Sequence, residues 1–216
     1  MSSDLRVTWQ KSLLSLMIPI LIILAIRWAL FEPYIIPSGS MLPNLLIHDH
    51  VLVNKFAYGI RLPFSKQYLF QWSQVKRGDI IVFRYPKDPD IFYVKRVLGL
   101  PGEKIRWQGH KVWINDQPVK QKETGPNRFL EERWLLEYQD GGYAEDGEYE
   151  IGKDEVFVMG DHRDNSSDSR VWGGVQMDLI LGRVSRIWMS CNKMLDPSIR
   201  LCDPTSIRWE RLGLKP

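Results

Sequence analysis

The chain has 216 residues, with 29 basic and 26 acidic side chains and a formal net charge of +3. That length holds one globular domain of ordinary size plus an N-terminal appendage, and a hydrophobic fraction of 44% permits a sizeable core. The charge is too slight to imply nucleic acid and fits a neighbour of anionic lipid, and the two cysteines, Cys191 and Cys202, lack any zinc-like spacing. An exported domain would allow those two cysteines to close a late hairpin, while two spare thiols remain the alternative.

In chain order, residues 1–11 are short and polar. Leu13 to Ile26 is almost wholly aliphatic, and continuing to Phe31 gives about 19 residues, or about 28 Å as a helix. The expectation is a membrane anchor over residues 12–31. Arg27, Trp28 and Leu30 stand where a cleavable leader would carry small residues, so the anchor is read as retained. Arg6 and Lys11 favour a cytoplasmic N-terminus, with everything after Glu32 on the outer side.

Next comes Ile35-Ile36-Pro37-Ser38-Gly39-Ser40-Met41-Leu42-Pro43, two serines and a glycine bracketed by prolines that restrict the backbone. A rigid hydroxyl-bearing turn with apolar flanks suits a nucleophile or an oxyanion donor. Beyond it the pattern is β: Val51–Val53, Ile80–Phe83, Ile91–Leu98, a hairpin over 104–114, Val156–Met159 and Val184–Met189, with Arg200–Trp209 as the last one's expected partner. An aromatic loop spans Phe56 to Trp72. Residues 115–147 read as an irregular or small β insertion, leaving 32–114 and 148–216 as the main domain. The fold class is therefore mainly β: packed antiparallel sheets or an open barrel, a small inserted β region and one N-terminal helix.

Two constellations suggest chemistry. Alternation along a strand puts Ile91, Tyr93, Lys95 and Val97 on one face, with Lys95 the sole charge in an apolar row. Burial disfavours its protonated form, and a neutral lysine is a general base. The stretch from Met159 to Arg170 packs three Asp, two Arg and three Ser into one loop, a composition that suits an internal hydrogen-bonding network. It lacks the glycine at the sixth position of an EF-hand, so calcium is not expected. Ser73-x-x-Lys76 matches a penicillin-binding motif without its companion KTG, and His48-x-His50 has no evident third ligand.

Taken in order, Ile36-Pro37-Ser38-Gly39-Ser40-Met41, Arg77 to Phe83, Tyr93 to Glu103 and Gly160 to Arg170 resemble the bacterial type I signal peptidases. The resemblance implies a Ser-Lys dyad with Ser40 as nucleophile and Lys95 as base. It implies an oxyanion hole from the Ser40 N–H and the Ser38 hydroxyl, with Ser166 orienting the lysine amine and an Asp168–Arg170 pair in support. Tyr34, Ile36, Met41, Leu45, Tyr93 and Val94 match the positions lining pockets for small P1 and P3 residues, and Ser167 sits where a small apolar residue is common. His162 replaces a frequent Asn, and Val171 a common aromatic. The implied activity is removal of signal peptides from exported preproteins at the outer face of the bacterial inner membrane, by a single-pass enzyme without metal or cofactor. Its implied partners are the preproteins, the bilayer and the secretion translocon. Rival readings are a specialised maturation peptidase of a secretion or conjugation system, and a non-catalytic tethered domain that binds preproteins.

Overall fold

The computed structural model describes residues 2–61, 68–131, 134–138, 145–196 and 201–216; within α1 the side chains of 2–8, 10 and 24–29 also lie outside the description. Helix α1 covers Ser2–Ala29, and the side chains described between 11 and 23 are exposed, including Leu13, Leu14, Leu16 and Ile20 to Ile23. Among the described residues no helix is long and apolar enough to cross a membrane. The anchor expected at 12–31 falls partly on side chains outside that set, as does part of the aromatic loop (62–67).

The rest is antiparallel β structure. Strands β1 (Phe31–Ile35) and β2 (Asp49–Asn54) flank the Ser-rich turn. β3 (Gly59–Arg61) and β4 (Tyr68–Gln71) pair as a small separate ribbon. β5 (Ile80–Tyr85) and β6 (Asp88–Gly99) form a hairpin in which Lys95 faces Ile81 and Arg96 faces Ile80. β7 (Lys104–Gln108), β8 (Lys111–Ile114) and β9 (Gln117–Pro118) follow, then β10 (Gln121–Gly125), β11 (Arg128–Glu131) and β12 (Trp134–Glu137). The last three make a sheet of their own, so the described part of 115–147 is largely ordered β structure.

β13 (Gly147–Glu150) returns to pair with β7, and β14 (Glu155–Met159) pairs with β6. The short helix α2 (Ser169–Trp172) precedes β15 (Val175–Gln176) and the long β16 (Ile180–Ser190). Among the described residues the main sheet runs β1-β2-β16-β5-β6-β14-β15. β16 takes β2 and β5 as its ladder partners, and the segment after residue 200 joins it only by single backbone bonds, from the Arg208 N–H to the Ser190 carbonyl and between Ile187 and residues 213–214. That segment is used otherwise: β17 (Met194–Asp196) and β18 (Leu201–Cys202) pair with each other, and Cys191 and Cys202 form a disulfide.

The sheet buries both faces over its middle, which is why β5 reads as a continuous apolar run and not an alternating one. One face, with Val51, Val53, Ile80, Val82 and Ile187, packs on Ile36, Met41 and Leu45 from the Ser-rich turn. The other, with Ile81, Phe83, Val97, Val156 and Val158, forms a second cluster. The turn that bears Ser40 is thus pinned by apolar side chains on either side of the two serines.

Candidate active site

Ser40 lies in the turn after β1. The Ile36 N–H donates to the Asp49 carbonyl and the His48 N–H to the Ile36 carbonyl, both at 2.9 Å, which fastens the entry to the turn onto the start of β2. Met41 and Leu45, both essentially inaccessible, anchor its exit. From the other side, the His162 N–H donates to the Ser40 carbonyl at 3.1 Å and its ring Nδ1 meets the Gly39 carbonyl at 3.2 Å. Gly160 permits this close approach. A Cβ there would stand 2.5 Å from the Ser40 carbonyl oxygen and 2.2 Å from Ser166 Oγ.

β6 delivers Lys95 to that turn. Its Nζ donates to Ser40 Oγ at 2.6 Å, and Ser38 Oγ lies 3.5 Å from Ser40 Oγ. Lys95 is only 5% exposed. Burial brings its pKa down from 10.5 to about 8, although Asp168 and Asp161 pull the other way; the Arg170 charge adds to the lowering.

The loop after β14 surrounds this amine with a charge network. Asp168 receives Arg170 through two bonds, Nε to Oδ1 at 2.8 Å and Nη2 to Oδ2 at 2.9 Å, and the Gly160 N–H donates to its Oδ2 at 2.9 Å. Burial pushes the Asp168 carboxyl up, but Arg170 and the Gly160 N–H outweigh it and hold the pKa below the usual carboxylate value. Arg170 Nη2 also donates to the Arg163 carbonyl. Ser166 Oγ is buried close to Gly160 and has no hydrogen-bond partner in the structure, so it does not make the bond to the lysine amine expected of it.

Sequence reasoning missed a second layer. Arg96, next to Lys95 on the opposite face of β6, grips Asp161 through Nε–Oδ1 at 2.7 Å and Nη2–Oδ2 at 2.6 Å; Asn44 Nδ2 donates to the same carboxylate at 2.8 Å. Arg163 pairs with Glu131 of β11 at 2.6 Å, both essentially inaccessible, so the 115–147 region is tied to the site loop by a buried ion pair. Asp161 and Arg163 did stand out as charges in the loop. Their partners 65 and 32 positions away carried no local signal.

Beside Ser40 and Lys95 opens a cleft of about 400 Å³, lined among others by Ile36, Met41, Tyr93, Val94 and Ser167. Tyr34 and Leu45 pack in the apolar cluster that includes Ile36 and Met41, so they back the cleft instead of lining it. Ile91, Phe92 and Asn165 also line it and were not expected to. β14 pairs with β6 only at Arg96, Val97 and Gly99, so among the described residues Ile91–Lys95 presents an unpaired backbone edge on that side. An extended peptide seated there could add hydrogen bonds to the free edge and drop alternate side chains into apolar hollows.

A family model described as signal peptidase, peptidase S26, matches residues 9–189. The chain is 39% identical over 194 residues to signal peptidase I of Pseudomonas fluorescens, a match covering 78% of this chain and 68% of that protein. Signal peptidase I of Buchnera aphidicola subsp. Schizaphis graminum is 34% identical over 257 aligned positions, covering 94% of this chain and 80% of its own. A solved signal peptidase I from Enterococcus faecalis V583 is similar with a TM-score of 0.40 and 22% identity, over 52% of this chain and 98% of that one.

Proposed function

The chain belongs to the S26 signal peptidase family, whose members remove signal peptides as serine endopeptidases, and from that premise we propose that it cleaves exported preproteins after small residues with Ser40 and Lys95 as its dyad. The observation that carries this reading is the 2.6 Å contact between Lys95 Nζ and Ser40 Oγ, made by an amine whose burial lowers its pKa from 10.5 to about 8. Neutral Lys95 accepts the Ser40 proton as the oxygen attacks the scissile carbonyl. The Ser40 N–H and the Ser38 hydroxyl stabilise the developing oxyanion, an effect worth about 3 kcal/mol per donor in comparable sites. The lysine then passes its proton to the departing amine, and water hydrolyses the ester with the same amine as base.

Ser166, a buried hydroxyl with no other bond, is the group available to hold the amine between these steps. The Asp168–Arg170 pair fixes the loop that carries it. A preference for small P1 and P3 residues follows from walls of Ile36, Met41, Tyr93 and Val94, with Tyr34 and Leu45 giving the backing and Ser167 placing a small polar group at the rim. The enzyme works at the bilayer, on the outer face of the cytoplasmic membrane. The support for this is the row of exposed aliphatic side chains on α1, which the domain does not cover and lipid would.

The test is incubation of the purified full chain with a radiolabelled preprotein in detergent or lipid. Wild type releases the mature protein, whereas Ser40→Ala and Lys95→Ala do not. Undiminished cleavage by either variant would remove that residue from the chemistry.

A further inference from the structure

Away from the cleft, three ligand-bearing side chains converge in a buried cluster the proposed chemistry does not use. His50 of β2, Cys191 just past β16 and Cys202 of β18 are all buried, and their ligand atoms lie within 4.8 Å of one another. His50 Nε2 faces Cys202 Sγ at 3.5 Å. A third sulfur completes the group: Met194, paired with Cys202 across β17 and β18, places Sδ 3.8 Å from Cys191 Sγ.

We propose that reduction of the Cys191–Cys202 bond converts this cluster into a binding site for one monovalent copper ion, held by Cys191, Cys202, His50 and Met194. Two thiolates with a thioether form a soft donor set, which favours Cu(I), and one imidazole is compatible with it. In the step that opens the site, a dithiol gives two electrons and two protons to the disulfide and leaves as its own disulfide. The ion then displaces the two thiol protons. The complex carries one net negative charge, and the nearby Arg208 guanidinium donates to the Cys191 carbonyl and pairs with Asp49. In the oxidised protein the sulfurs are engaged with each other and the site is closed.

The experiment uses the full chain in detergent, reduced with dithiothreitol, desalted without oxygen and titrated against Cu(I) held by bicinchoninate. The reduced wild type should withdraw one copper per chain and the oxidised protein none. Met194→Leu and His50→Gln should each weaken retention at least tenfold, and the Cys191→Ser/Cys202→Ser variant should retain none while still cleaving a preprotein. Failure of the reduced wild type to withdraw copper overturns the proposal. So does retention undiminished in both Met194→Leu and His50→Gln, which would leave only a bare dithiol. Preprotein cleavage by the reduced, metal-free chain reports that the domain stays folded; a chain that unfolds on reduction has no such site.

Discussion

Buried cations of two kinds stand on β6 and on the loop that follows β14. Arg96, Arg163 and Arg170 each face a carboxylate in close geometry, Asp161, Glu131 and Asp168 respectively. Lys95 faces a serine hydroxyl instead. For Arg163, burial works against the charge and Glu131 more than reverses it. For Lys95, burial wins, because Asp168 and Asp161 act only from a distance and Asp168 is already committed to Arg170. The lesson is that a fixed charge and a titrating base can share one buried environment when every carboxylate is saturated by a guanidinium first.

This contrast can be broken at either end. The largest effect is expected at the lysine: Lys95→Ala or Ser40→Ala should lower kcat/KM for preprotein cleavage by on the order of 10⁴-fold or more, since a dyad acts as a unit. Next is the paired side. Asp168→Asn leaves Arg170 buried without its anion, and chemical denaturation should show a loss of about 3–5 kcal/mol.

A smaller effect of opposite sign is expected from Lys95→Met. Below pH 8 the lysine is charged in both folded and unfolded chains, and the folded state bears the cost of burying it. A pKa fall from 10.5 to about 8 corresponds to on the order of 3 kcal/mol. Between those values the unfolded chain keeps a proton the folded one has lost, so wild-type stability rises with pH. Lys95→Met should therefore exceed the wild type in stability at pH 7, by a margin that narrows as pH approaches 10.5. The finest measurement is the pH profile of kcat/KM. It should rise through an inflection near 8, and in the folded fraction of Asp168→Asn the inflection should move lower, because an anion that favours the ammonium has gone.

Much of this was legible because strands and turns announce themselves locally. β5 and β6 were readable as an apolar run and an interrupted alternation, and the Pro-bracketed serines as a rigid turn. The partner of β16 was not, since the choice between residues 50–54 and 201–209 depends on which segment reaches it in space and both carry apolar residues. In the site, Lys95 stood out as a charge in an apolar row. Arg96 beside it did not, because only the fold shows that its face of β6 meets Asp161 and Asn44. The cleft's lining by Ile91 and Phe92 was likewise hidden: alternation assigns residues to faces, whereas the cleft opens along a strand edge and touches both. Residues 115–147 read as an irregular or small β insertion, and what stayed hidden is how it is tied down, since the Glu131–Arg163 pair joins residues 32 positions apart.

The adjacency of Lys95 and Arg96 on β6 has one further result. Because neighbouring positions on a strand point oppositely, sliding β6 by a single residue against β5 would bring Arg96 to the place of Lys95 and Val97 to the place of Arg96. The serine would then receive a guanidinium that never releases its proton, and Asp161 would face the apolar Val97. Hydrogen-bond register between two strands thereby selects which nitrogen is offered to the nucleophile, and a misaligned hairpin would be a folded protein carrying the wrong acid–base group.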